Sequence, residues 1–471
     1  MSVNHLINCQ INKNSRSGMI CFLLRGSPII LFTLLMLLSV PAGSQNVLTL
    51  NQAINNGFSN RKNIQAGKSD LVIQRLQTEA LYKKYWPQVS LEYTYLYNPI
   101  LQTSILPIGL FNSTYPADAT ISVRFGTTWS QTAGATVLQP LIDLSIPRRI
   151  DEAKLQELIT AASQAQSEYD LAFTIAQTYI EISLQESKIK SAIADTNRTF
   201  ISYTLLNNKF IEKRLLKSDL NKSLINHNNA VQQLMDALSE LIEDKVYLLF
   251  LTGETAIEKS DFVIDTSFVN QYKLSVSGIL PDAGAIPELQ QLELQSLLTG
   301  FQVKSEKAKH LPTLSMKGFI GANQYTNNFS PTESNTWFGL SYIGIDLKIP
   351  LFFGENVQKN IQVLKIKSSQ YNQQKEDKSA LYAKDTYTSK LKMERVMLQL
   401  KTQEENLALS NESIEITQAR VKEGQESAST LNLDEASLQS LQADFEMNKK
   451  QLWNNWLNYL KTSGQLNILW K

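Results

Sequence analysis

A chain of 471 residues, 43% of them hydrophobic and 19% charged, is long enough for two or three domains and can bury a large core. Its 45 basic and 44 acidic residues leave a formal charge of +1, which excludes the basic excess expected of a nucleic-acid-binding protein. The two cysteines, Cys9 and Cys21, both lie near the N-terminus, so residues 45–471 hold together without disulfides.

Residues 1–44 contain Lys13, Arg16 and Arg25, no acidic residue, an apolar run from Ile29 to Val40, and then the small residues of PAGSQ. This order predicts a signal peptide cleaved close to Gly43–Gln45, and therefore export. The apolar run is shorter than the roughly 20 residues of a membrane-spanning helix. A start at Met19 preserves the same signal with a shorter basic region. With no cysteine at the cleavage point, a lipid anchor is not expected.

Beyond the signal the chain repeats itself. WPQVSLEYTY at Trp86 answers to LPTLSMKGFI at Leu311, Pro140 to Pro350, SDLNKSL at Ser218 to STLNLDEASL at Ser429, and Gly253 to Gly464. From Pro140 onward the offset is 210 or 211 positions; before the strands it is 225, as a longer loop in the first copy requires. Landmarks kept in one order predict two copies of one structural unit, residues 45–253 and 254–471.

Each copy reads as a helix, two strands and then very long helices. No glycine or proline occurs between Pro147 and Gly253, between Gly354 and Gly424, or between Gly424 and Gly464. Apolar residues recur three or four apart, as in Leu155, Leu158, Ala162, Ala165, Tyr169, Ala172, Ala176 and Tyr179. The result is one narrow buried stripe with polar flanks, the pattern of coiled-coil packing. Four strands are expected at about 87–98, 119–139, 312–325 and 337–350. Val89, Leu91, Tyr93, Tyr95 and Tyr97 alternate with polar residues. Ile343, Ile345, Leu347 and Ile349 alternate with Tyr342, Gly344, Asp346 and Lys348. Period two over about ten residues, with aromatic residues near the ends, matches a transmembrane β-strand. Val89, Leu91, Tyr93, Tyr95, Ile343, Ile345 and Leu347 are then the lipid-facing candidates. Four such strands cannot close a barrel, so several chains must pool them.

The opening helix LTLNQAINNGFSNRKNIQAGKSDL, then WPQVSLEYTY, LQPLIDLS and RVKEGQES, and the repetition of the pattern resemble the TolC family of outer-membrane efflux and secretion channels. That resemblance implies an α+β membrane protein, a duplicated unit of long coiled-coil α-helices plus four amphipathic β-strands. It implies a homotrimer with a twelve-stranded barrel in outer-membrane lipid and an α-helical tunnel in the periplasm. The implied partners are a periplasmic adaptor (membrane fusion) protein and an inner-membrane transporter of RND or ABC type, in drug or metal efflux or in type I protein secretion. The rival reading is a periplasmic helical-hairpin adaptor without a membrane barrel. An outward apolar face on all four strands, and the duplication, favour the channel.

No motif suggests an enzyme. His5, His227 and His310 have no metal-ligand spacing, and there is no G-x-S-x-G, phosphate-binding glycine loop or H-E-x-x-H. Neither a cofactor nor a metal is expected. Two charged groups stand out. Lys213, Arg214 and Lys217 (with Lys209) mark the expected helical turn of the first copy; Glu423, Gly424 and Glu426 mark that of the second. Opposite charges on neighbouring tips can latch a closed tunnel, although exposed pairs contribute only about 0–1 kcal/mol each. Gly424 matches the family's turn glycine, and Lys213 stands in its place in the first copy. Asp434 and Glu435 fall near the point where the resemblance implies a ring of acidic residues facing the tunnel, and they are the candidate constriction.

Overall fold

Helix-breaking residues punctuate the fold, and the longest elements lie where they are missing. The computed structural model describes residues 47–108, 114, 116, 118–254, 262–266, 269, 282–330, 337–352 and 355–471. The expected signal peptide, residues 1–44, and Gly354 lie outside the described residues. A short strand β1 (Val47–Leu48) precedes helices α1 (Leu50–Asn60) and α2 (Lys62–Tyr82). At the start of α1 the Thr49 hydroxyl accepts the Gln52 N–H at 3.3 Å, while Gln52 Oε1 accepts the Thr49 N–H at 3.1 Å. This capping box satisfies two otherwise unpaired donors. Strands β2 (Gln88–Tyr97), β3 (Gln102–Pro107), β4 (Thr120–Phe125) and β5 (Trp129–Ile142) follow, then α3 (Ser145–Ile211) and α4 (Lys217–Thr252). After β6 (Val263–Ile264) come α5 (Pro287–Ala308), β7 (Thr313–Thr326), β8 (Trp337–Lys348), α6 (Asn356–Glu423) and α7 (Ala428–Thr462).

Helices α3 and α6 have 67 and 68 residues and so reach roughly 100 Å each. α3 folds back on α4 and α6 on α7; α5 packs against both α3 and α6, and α2 against α3. No helix among the described residues is long and apolar enough to cross a membrane. Leu48–Lys471 forms one compact unit. Its main core gathers where α1, α3, α4 and α7 meet, around the fully buried Ile54, Tyr179, Leu248 and Trp456. The Tyr179 hydroxyl lies 2.8 Å from the Leu48 carbonyl and 2.9 Å from that of Asp265, and accepts the Asp265 N–H at 3.0 Å. Burial pushes this phenol up to about 12, so it stays a neutral donor. A second core of Leu206, Ile414, Val421, Leu431 and Leu438 holds the far ends of the hairpins together.

Among the described residues, four strands form an antiparallel sheet in the order β2-β5-β7-β8, β3 and β4 form a separate two-stranded hairpin, and β1 pairs with β6. This corrects the single strand expected at 119–139. Gly126, at φ +109°, breaks it, so that β4 pairs with β3 and only β5 enters the large sheet. Asn98 secures the break: its N–H reaches the Thr128 carbonyl at 2.8 Å and its side-chain amide the Thr127 carbonyl at 3.2 Å. β3, six residues long, lies within the loop expected between the first two strands.

The helix ends are matched across the chain. Gly253 and Gly464 take φ +80° and +76°. In each case the next N–H reaches five residues back, Glu254 to Leu249 at 3.0 Å and Gln465 to Leu460 at 2.9 Å. The hairpin tips behave alike. Gly424 takes φ +77° with Gln425 N–H on the Arg420 carbonyl at 2.9 Å. Lys213 takes φ +59° with Arg214 N–H on the Lys209 carbonyl at 2.9 Å. The αL cap with its hydrogen bond five residues back is therefore present at both tips, and the lysine does not alter it. It does carry a cost, because a Cβ in αL conformation is disfavoured by roughly 1–2 kcal/mol. Replacing Lys213 with glycine should stabilise the purified protein by about 1 kcal/mol in thermal unfolding, and Gly424→Lys should destabilise it by a similar amount. Equal midpoints for Lys213→Gly and the parent chain would show that this tip carries no strain.

Candidate functional site

The ladder register decides which strand residues share a face. Val89 lies opposite Val137, Leu91 opposite Ala135 and Tyr93 opposite Ala133; across β5 and β7, Val137 lies opposite Gly318, which in turn lies opposite Ile343. All seven expected outward residues, Val89, Leu91, Tyr93, Tyr95, Ile343, Ile345 and Leu347, therefore sit on one face, joined by Met316 and Ile320. Leu91 is 87% exposed and Ile343 84%. Such values on the two outermost strands, with Ile320 of β7 68% exposed between them, describe an apolar surface running across the sheet. Tyr95 departs from the expectation in part: it is half-buried, stacked on Trp129 at 5.1 Å and edge-on to Phe329 at 5.6 Å. The opposite face carries Ser90, Glu92, Thr94, Lys317, Gly344, Asp346 and Lys348, interspersed with Phe319 and Tyr342.

At the end of the sheet away from the long helices, this apolar face finishes in aromatic side chains. Tyr97 and Phe329 pack on Trp129 at 4.5 and 5.2 Å. Beneath them the Tyr93 hydroxyl donates to Gln131 Oε1 at 2.6 Å, and Gln131 Nε2 donates to Gln324 Oε1 at 2.6 Å. Both glutamines are buried, and Gln131 Nε2 also donates to the Ser330 carbonyl at 3.3 Å, so protein groups take the place of solvent around it.

The hairpin tips carry the expected charges, but among the described residues no ion pair joins them within one protomer. Arg214 pairs with Glu212 of its own turn at 3.4 Å, and Lys213 and Lys217 stay in solvent. Glu423 is exposed; Glu426 accepts from the Ser427 N–H and the Thr430 hydroxyl, both at 3.1 Å. A latch between these tips has to run between protomers or not at all.

The two acidic candidates beyond Gly424 separate sharply. Asp434 is half-buried and accepts from the Thr417 hydroxyl of α6 at 2.9 Å. Glu435 is only 1% exposed and turns inward to α3, which corrects its assignment to a constriction. One carboxylate oxygen pairs with Arg198, and the other accepts from the Ser202 hydroxyl at 2.8 Å. Arg198 also pairs with Asp195 at 3.1 Å; Gln442 donates to Asp195 at 2.9 Å and Gln418 to Ser202 at 2.9 Å. Consecutive helical residues point about 100° apart, so Asp434 and Glu435 cannot share one environment. Burial pushes the Glu435 carboxyl upward, with Arg198 and Ser202 acting against it. Sequence reading missed Asp195, Arg198 and Ser202, because nothing in one helix reveals which residue of another it will meet.

A cleft of about 610 Å³ beside this network, between α3, α4 and α7, is lined by Glu181, Glu240, Glu243, Asp244, Lys188 and Lys450. Lys188 pairs with Glu240 at 2.8 Å and Lys450 with Glu181 at 2.9 Å, which leaves Asp244 among like charges. Partial burial and then Glu181 push its carboxyl up to about 6. A raised carboxylate favours folding in its protonated form. This contribution is complete below the unfolded value of about 4 and is lost as pH rises through about 6. Asp244→Asn should therefore raise the melting temperature above pH 6 and leave it unchanged near pH 4; an equal shift at both would remove Asp244 as the cause. For the buried pair, Arg198→Met alone should cost about 3–5 kcal/mol, most of it recovered in Arg198→Met/Glu435→Leu, as a double-mutant cycle in denaturant would measure. Additive losses would mean the two side chains do not depend on each other.

Residues 285–464 match the family model described as outer membrane efflux protein. No curated protein sequence gives a significant match. Among solved structures, the chain is similar to CusC, a transmembrane channel, with a TM-score of 0.69 and 14% identity over 88% of this chain and 91% of that one. It is similar to the outer membrane protein VceC of Vibrio cholerae, with a TM-score of 0.68 and 12% identity over 88% and 96%. It also resembles the CmeC outer membrane channel of Campylobacter jejuni, with a TM-score of 0.68 and 12% identity over 88% and 85%. Residues 285–464 thus match the outer membrane efflux protein model, and the chain shares its fold with these solved outer-membrane channels.

Proposed function

We propose that the protein is an outer-membrane export channel, a passive conduit of a tripartite system, and that the observation carrying this reading is the continuous apolar face of the β2-β5-β7-β8 sheet. A face of this kind on exposed strands suits hydrocarbon, and a periplasmic adaptor has no use for it. Strands β2 and β8 end the sheet order, and in lipid their outer edges need partners. Three chains supplying four strands each close a twelve-stranded barrel, with β2 of one protomer against β8 of the next. The hairpins of α3–α4 and α6–α7 then assemble into a helical tunnel extending into the periplasm. The two halves, residues 45–253 and 254–471, act as copies of one unit, and their αL turns at Lys213, Gly424, Gly253 and Gly464 support that division. The tunnel tip, with Lys213, Arg214 and Lys217 beside Glu423, Gly424 and Glu426, is the docking point for a periplasmic adaptor, and an inner-membrane RND or ABC transporter drives export.

Asp434 is the remaining candidate for the constriction. Three copies of one carboxylate on a narrow axis attract cations. In planar bilayers the purified channel should conduct poorly and prefer cations, and Asp434→Ala should weaken that preference; Glu435→Ala should leave ion selectivity unchanged. A channel with no cation preference would exclude Asp434 from the pore. The barrel itself is tested by Ile345→Lys, which should cost about 2–4 kcal/mol near the bilayer midplane, whereas Gly344→Lys on the opposite face should be milder. A water-soluble monomer that ignores membranes would overturn the whole reading.

A further inference from the structure

The four strand-to-helix junctions all lie at one end of the sheet, because β2, β5, β7 and β8 each connect there to α2, α3, α5 or α6. That end carries a modest excess of basic over acidic residues, in a chain whose total charge is +1. Lys83, Lys84, Arg148, Arg149, Lys304 and Lys307 are exposed there, and none joins an ion pair among the described residues. Of the acids at this end, Glu306 pairs with Lys309 at 2.6 Å, Glu355 lies 3.8 Å from Lys359, and Asp143 accepts the Ser145 N–H at 2.9 Å; Glu79, Asp151, Glu152 and Asp346 lie here as well. The opposite end is nearly uncharged. Its connecting segments, 98–128 and 327–336, hold only Asp118, Arg124 and Glu333.

Exposed apolar side chains are interleaved with these cations. Trp86 follows Lys83 and Lys84 and is 66% exposed; Leu351 and Phe352, just after β8, are 92% and 88% exposed. A bulge between Pro140 and Ile142 puts Ile142 opposite Leu314, and so on the same outward face as Leu347. Strand length sets where this belt sits. Twelve residues of β8 at about 3.3 Å each, tilted by roughly 40°, span about 30 Å, a little more than an apolar band about 25 Å tall. With the aromatic cluster of Trp129 at one boundary, the basic end falls at the other.

We propose that this belt is a lipid-binding collar, which takes the anionic headgroups of phospholipids in the leaflet on the helix side while Trp86, Leu351 and Phe352 enter the acyl boundary. The inference rests on the channel reading and adds a lipid preference to it. Cations placed at a headgroup surface attract anionic lipid, and aromatic side chains anchor at the same depth.

The test is reconstitution into vesicles of equal phosphatidylcholine and phosphatidylglycerol, followed by mild detergent extraction and quantification of co-purified lipid. Phosphatidylglycerol should be enriched by about fivefold or more, the effect of even one cation at full strength, and high salt during extraction should abolish the enrichment. Lys83→Gln/Lys84→Gln/Arg148→Gln/Arg149→Gln should lose most of it, whereas Lys213→Gln/Lys217→Gln at the distant tip should keep it. Should the quadruple variant fail to assemble, Lys84→Gln/Arg149→Gln and the salt series on the parent chain carry the same comparison. Equal lipid ratios in the parent chain, or enrichment untouched by the junction substitutions, would overturn the collar while insertion proceeds normally. Displacement of the lipid by excess inorganic phosphate would also overturn it, since that marks an ion site. Failure to enter either kind of vesicle removes the channel reading and the collar with it.

Discussion

A β-strand edge surrounded by hydrocarbon leaves backbone N–H and C=O groups without partners, and no side chain can compensate for them. For the proposed channel, that constraint governs assembly. Each chain supplies four antiparallel strands whose apolar residues share one face, and the sheet ends at β2 and β8. The sheet is stable in a membrane only if neighbouring copies continue the ladder, so assembly and membrane insertion become one requirement. The two longest helices, α3 and α6, leave the sheet at one end, just after β5 and β8.

Far from the sheet, stability depends on a different balance. Helices with narrow apolar stripes bury little area per turn, and polar residues fill much of the contact between hairpins. The network of Asp195, Arg198, Ser202, Gln418 and Glu435 ties α3 to both α6 and α7 where the second core begins. A buried ion pair of this kind contributes little net stability over an apolar replacement, yet it strongly disfavours any register in which one partner is left alone. It therefore acts on helix register more than on total stability. Asp434, one residue away, lies outside that network and accepts from the Thr417 hydroxyl instead.

The two turns at Lys213 and Gly424 show how a fold can outlast its preferred residue. Both take αL geometry with the same hydrogen-bond pattern, although only one is glycine. The surrounding hairpin contacts hold the lysine in a conformation it would not choose alone.

Much of this was legible in the sequence, for physical reasons that can be named. Uninterrupted helices followed from the absence of glycine and proline, and the outward face of β2 and β8 from alternation with period two. Both are local properties of the backbone and side chain. The split of residues 119–139 was not legible, because Gly126 breaks the strand through its backbone angle, and β4 belongs to a different partner. The inward turn of Glu435 was equally hidden. A carboxylate on a polar helix face reads as solvated until the position of Arg198 on another helix, 237 residues away in sequence, is known. Sequence by itself determined the long helices and the outward face of β2 and β8, since these depend on near neighbours in the chain. Only the tertiary structure decided which charges are buried and paired, since burial depends on residues brought together from distant parts of the chain.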